Sequence, residues 1–160
     1  MRFDERPREG AALLNPAFVT LLLAHAACQH HNHTRVGMVW PLAFLVPPLV
    51  LHEPTRHQLP RTVSTSLLTW AQREPVLRAG LPARARALTP TVREALRFGV
   101  RLDALRFEGP ALIAPRSPGS PPANASAEVR DCVRRARLLG RWFAALGDPA
   151  TIMLTLGVSP

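Results

Sequence analysis

Five potential metal ligands crowd one short stretch: His25, Cys28, His30, His31 and His33. Imidazole and thiolate suit zinc, but a structural zinc site needs two ligand pairs held apart by a folded unit. The second pair is missing here, and Cys132 could join only through the tertiary fold. A solvated helix end, where histidine sits well beside the negative end of the helix dipole, accounts for the cluster without a metal. His52, Glu53, Arg56 and His57 could be drawn as an acid–base group, yet they lie among prolines with no nucleophile in a recognised turn. The 11 acidic residues form no spaced carboxylate pair, and there is no glycine-rich phosphate loop and no catalytic signature. No catalytic, cofactor-binding or metal-binding residues are expected, no cofactor is implied, and the chain is not expected to be an enzyme.

The remaining chemistry is guanidinium chemistry. Net charge is +9, and all 20 basic residues are arginine. Without lysine there can be no P-loop lysine, no Schiff base and no Ser-Lys dyad. Arginine offers a planar, permanently charged fork for phosphates and carboxylates, so the balance favours a polyanion or an acidic partner protein. Arg93, Arg97 and Arg101 recur every four residues. Arg134, Arg137 and Arg141 do much the same further on. These six are the candidate contacts to nucleic acid or to an acidic partner.

Helices must position them. Asn15 caps and Pro16 opens a helix to about Gln29, apolar over most of its surface through Phe18, Leu21, Leu22, Ala26 and Cys28. Residues 30–35 read as a polar loop. A second apolar segment, Leu42 to His52, must kink or break at Pro47-Pro48. Pro54 and Pro60 frame a connector holding Thr55-Arg56. Ser64 or Thr65 caps a short helix from Ser66 to about Arg73. A second helix starts at Pro75, with Pro82 dividing it, and Thr89-Pro90 starts a third, with Thr91 and Glu94 as a capping box. Two short runs, Ala104 to Glu108 and Ala111 to Ala114, flank Gly109-Pro110 as a hairpin. Three helices and a hairpin outline a winged helix-turn-helix, with the Arg93 row on the recognition-type helix. Residues 116–126 form a connector rich in Pro, Ser, Gly and Ala. Ser126 then caps the clearest helix, Ala127 to Leu146, stopped by Gly147, before an apolar tail from Thr151 to Val158.

The expected fold is mainly α (α+β): one domain over 1–160, made of an N-terminal helical layer (15–60), a winged-helix-like core (64–115), the connector (116–126) and a C-terminal helix and tail (127–160). Apolar helices exceeding the needs of a small core mark interfaces. Phe18, Leu21, Leu22, Trp142, Phe143, Ile152 and Leu154 are the candidates for a protein interface. The string His25-Ala26-Ala27-Cys28 hints at an export site, but Arg2, Arg6 and Arg8 are balanced by Asp4, Glu5 and Glu9, where a signal peptide wants a net positive start. No run is long enough to span a bilayer. A cytoplasmic protein with no membrane partner, whose two cysteines are buried free thiols, is expected.

Specific strings add to this. Leu14-Asn15-Pro16-Ala17-Phe18, Phe44 to His52, Thr55-Arg56 with Leu59-Pro60, and Thr65-Ser66-Leu67 with Trp70 stand in order along the chain. So do Arg93-Glu94-Ala95 with Phe98-Gly99, then Gly140-Arg141-Trp142-Phe143, and Thr151-Ile152 with Gly157-Val158. Together they resemble the middle component of three-component ABC systems, a bacterial conflict-system family. The Pro47-Pro48 doublet and the long connector after Arg116 depart from that pattern. The resemblance implies an adaptor beside an ABC ATPase of the SMC or Rad50 type and a separate effector in antiviral defence, with DNA reached through the complex. It carries over no catalytic residue. The competing reading is a stand-alone winged-helix DNA-binding regulator.

Overall fold

The computed structural model describes residues 14–159. It contains seven α-helices, one 3-10 segment and a three-stranded antiparallel sheet. The first helix, α1 (Pro16–Thr34), forms because Asn15 Oδ1 accepts the Ala17 N–H at 2.8 Å and Pro16 fits the first turn. It is the central helix: Val19, Leu22, Leu23, Ala26 and Ala27 are fully buried. The helix runs five residues past Gln29, where the sequence suggests a polar loop. His30 turns inward, its Nδ1 3.2 Å from the Val36 carbonyl, while His31, Asn32 and His33 face solvent. Arg35 closes the helix in the left-handed region.

Strand β1 (Met38–Val39) leads into the 3-10 segment Trp40–Leu45 and then α2 (Val46–Val50). Pro47-Pro48 lies in the first turn of α2, where a missing N–H costs nothing, so the doublet starts a helix there. The expected connector around Thr55-Arg56 is a helix, α3 (Glu53–Gln58), capped by the His52 side chain. Helix α4 (Leu67–Arg73) is capped by Ser66, as its sequence suggests.

The largest departure is α5 (Pro75–Arg101), one continuous helix of 27 residues with Pro82 and Pro90 inside it. Two helices were expected here, divided near Pro82 and restarting at Thr89-Pro90. Each interior proline costs about 3 kcal/mol of helix propensity, but Leu81, Ala85, Val92, Ala95, Leu96 and Gly99 form one buried stripe that crosses both. Packing of that stripe outweighs propensity. Thr91 and Glu94 therefore sit inside a helix and form no capping box. The turn that a helix-turn-helix needs before its recognition helix is replaced by helix.

The hairpin is present as β2 (Arg106–Glu108) and β3 (Ala111–Ile113), turning at Gly109 with φ +58°. Strand order is β1-β3-β2, with Met38 opposite Leu112 and Phe107 opposite Leu112 on the other side. Gly37 lets β1 approach: a Cβ there would meet Ala111 Cβ at 2.6 Å. After a stretch without regular structure, α6 (Ala127–Leu146) is capped by Ser126 and ended by Gly147. The apolar tail is α7 (Pro149–Leu156), capped by Asp148 and docked on the body through Ile152 and Leu156.

The core lies between α1, α5 and α6. Gly140 of α6 touches α1 so closely that a Cβ would stand 2.2 Å from the Ala26 carbonyl oxygen. Trp70 and Trp142 pack at 5.9 Å, and their indole N–H groups donate to the carbonyls of Gln58 (2.9 Å) and Thr65 (2.7 Å). Both buried rings thus have their polar edge satisfied and pin the loop between α3 and α4.

Candidate partner-binding surface

The residues with chemical potential do not converge. The His25 Nε2–H donates to the Gly119 carbonyl at 3.1 Å, tying the connector to α1. Burial is the main cause that holds His25 below the ordinary histidine pKa, with Arg137 adding to it; burial does the same to His30. Among the described residues no group of three or more His, Cys, Asp or Glu could hold a metal. Cys132 is buried, which pushes its thiol up to about 11, and Cys28 is partly buried; both are free.

His52, Glu53, Arg56 and His57 face three directions. His52 Nδ1 lies 2.7 Å from Thr55 Oγ1, while Glu53 and His57 form a solvent-exposed pair at 4.0 Å. Arg56 points inward and is 2% exposed. Its guanidinium donates to the Val50 carbonyl at 2.9 Å and to Glu128 Oε1 at 2.9 Å, and its Nε lies 3.3 Å from Asp131 Oδ2. Asp131 also pairs with Arg134 and Arg135, and Arg135 donates to the carbonyls of Leu59 and Pro60. This network joins α2, α3 and the loop after it to α6. Its role is positional.

Of the apolar residues expected at a partner interface, Leu22, Trp142, Phe143 and Ile152 are buried in the chain's own core. Phe18 and Leu21 are partly buried against it. Leu154 alone of the seven is open, at 77% exposure, and Val76 and Leu68 are open too. Arg78 fixes this end of α7 by donating to the Thr155 and Leu154 carbonyls.

The arginine rows fare differently from each other. On α6, Arg134 pairs with Asp131 at 3.3 Å and Arg141 donates to Gln29 Oε1 at 3.3 Å, leaving Arg137 exposed between them. On α5, Arg93, Arg97 and Arg101 are all exposed and make no ion pair or side-chain hydrogen bond among the described residues. The row is longer than sequence reading marked. Arg86, seven residues before Arg93, lies on the same helical stripe and is exposed.

Two open grooves flank the stripe and share Arg93. One, of about 540 Å³, is bounded by Arg93, Arg97, Arg101, Val100 and Phe107. The other, of about 570 Å³, is bounded by Arg86, Arg93, Trp40, Phe44 and Pro82, with Val158 at its end. Among the described residues no carboxylate lines either groove. Trp40 and Phe44 meet edge to face at 5.9 Å, and the backbone N–H of Trp40 donates to the Pro110 carbonyl at 3.0 Å, which ties the start of the 3-10 segment to the hairpin turn. Trp40 and Phe107 are exposed at 45% and 43%. Sequence reading missed both aromatics: Trp40 opens the 3-10 segment, far from α5 in the chain, and Phe107 is the middle residue of β2, which only the folded hairpin sets beside α5.

Among the described residues no helix is long and apolar enough to cross a membrane; the charges at residues 2–9 that bear on export lie outside them. No curated protein and no solved structure matches the chain. The family model for ABC-three component (ABC-3C) system Middle Component 3 matches residues 3–160. The strings that carry the resemblance coincide with the tight points of the fold: Gly140 on Ala26, Trp142 on Thr65 and Arg56 on Glu128. With the match running from residue 3 to the last residue, the chain belongs to the Middle Component 3 family of ABC-three component systems.

Proposed function

We propose that this chain is a non-catalytic adaptor, coupling an ABC ATPase of the SMC or Rad50 type to a separate effector in a cytoplasmic, DNA-sensing antiviral defence complex. The observation that carries this reading is the exposed arginine stripe of α5, without an ion pair among the described residues, on a chain of a middle-component family. Among the described residues no carboxylate pairs with those guanidinium groups, and arginine is favoured where proteins meet acidic partners or nucleic acid. Leu154, with Val76 and Leu68, supplies exposed apolar area at the α7 end for a protein contact.

Co-expression with the ABC ATPase of the same three-component system tests the reading. The two should co-purify, and Leu154→Asp should weaken the complex while leaving the fold intact by circular dichroism. If the ATPase elutes free of the chain both with and without DNA, the adaptor reading fails.

A further inference from the structure

We infer that the α5 stripe, with Phe107 and Trp40 at its two ends, is a binding track for single-stranded nucleic acid that this chain contacts directly. The inference goes beyond the adaptor reading, in which DNA is reached through the complex, and stands without the ATPase.

Geometry comes first. Positions 86, 90, 93, 97 and 101 share one stripe of α5 and hold four arginines and one proline. At 1.5 Å rise per residue the stripe is about 22 Å long, with Arg93, Arg97 and Arg101 spaced by about 6 Å. A linear row of permanent, evenly spaced cations fits a linear row of anions, which a nucleic-acid backbone supplies and scattered carboxylates on a folded protein do not. None of the four guanidinium groups is committed to a carboxylate among the described residues, which leaves them open to an anionic ligand there.

The aromatic residues point to unpaired bases. A backbone-tracking basic groove with exposed rings on which bases stack is how sequence-neutral single-strand binders work. Phe107 borders the groove with Arg93, Arg97 and Arg101; Trp40 borders the groove with Arg86 and Arg93. In a duplex the faces of the bases are covered by their neighbours, so exposed rings beside the cations serve only a strand whose bases are free.

The test uses the full chain with a fluorescein-labelled oligothymidylate of about 15 nucleotides, within the span of known single-strand sites. Fluorescence anisotropy across a salt series should show binding that weakens with salt, with a log–log slope of about −2 to −3 for three or four phosphates. Arg93→Ala with Arg97→Ala should lower affinity at least about tenfold and flatten the slope. Phe107→Ala should lower affinity about tenfold with the slope unchanged, because stacking is not ionic. A second readout needs no loss of binding: Trp70 and Trp142 are buried, so quenching of indole emission on strand addition reports Trp40, and Trp40→Phe should abolish it. An oligouridylate arm decides between DNA and RNA as the source of the strand, and comparable binding of either supports the track. No binding at low salt, equal affinity for a duplex, or equal affinity for polyglutamate together with indifference to Phe107→Ala overturns it; the last outcome would make the stripe a protein contact. Because no ATPase is present, this result and co-purification can fail independently.

Discussion

Single residues set the close contacts of this fold. Gly140 is the sharpest case, since a Cβ there would meet the Ala26 carbonyl at 2.2 Å. Gly140→Ala is expected to destabilise the chain by about 2 kcal/mol, because overpacking forces α1 and α6 apart; urea unfolding measures it, and a neutral substitution would show that the helices shift freely. Arg56→Ala should cost about 3 kcal/mol, the lower end for breaking a buried pair, since Glu128 is half open to water. The same unfolding experiment reads it. Three histidines, His25, His30 and His52, are held below the ordinary value chiefly by burial. The unfolded chain therefore binds protons first as pH falls. Their contribution to stability is full above about pH 6.5 and is lost below it. The melting temperature should fall between about pH 7 and 5, and His25→Gln should reduce that fall.

Among the elements, α5 shows how packing overrides propensity. Pro90 is exposed inside a continuous helix, where it removes one backbone hydrogen bond. Pro90→Ala is expected to raise stability by about 1 to 2 kcal/mol, less than the full helix penalty because proline also restricts the unfolded chain. Destabilisation would mean that the core needs a bend at that point. What was legible in the sequence follows from the same physics. Helix α6 could be read to its caps because its apolar period, Ser126 and Gly147 agree. The hairpin around Gly109-Pro110 was legible from its turn residues. Helix α5 was misread because local proline rules carried more weight than the apolar stripe from Leu81 to Gly99, although that stripe was there to be counted. Strand β1 was illegible, being two residues long and defined only by its partner β3. The arginine half of the surface could be listed from spacing. Its aromatic half could not, since only the folded 3-10 segment and hairpin set Trp40 and Phe107 beside α5, and burial of Leu22, Trp142, Phe143 and Ile152 depends on which helices meet.

At the scale of the molecule, the inward-facing arginines serve position, while the outward-facing row on α5 has no ion pair among the described residues. Arg56, Arg84 and Arg135 all turn toward backbone or side-chain partners inside the fold. Arg86, Arg93, Arg97 and Arg101 turn out, and the apolar side chains of Val76 and Leu154 are left open. A chain built this way is completed by other macromolecules. Sedimentation velocity of the full chain, alone and mixed with an ABC ATPase of the proposed SMC or Rad50 type, measures that claim directly. A faster-sedimenting complex is expected, forming at micromolar concentration or below and weakening in the Leu154→Asp variant. Two boundaries that sediment as the separate proteins at every ratio, with and without nucleic acid, would contradict it.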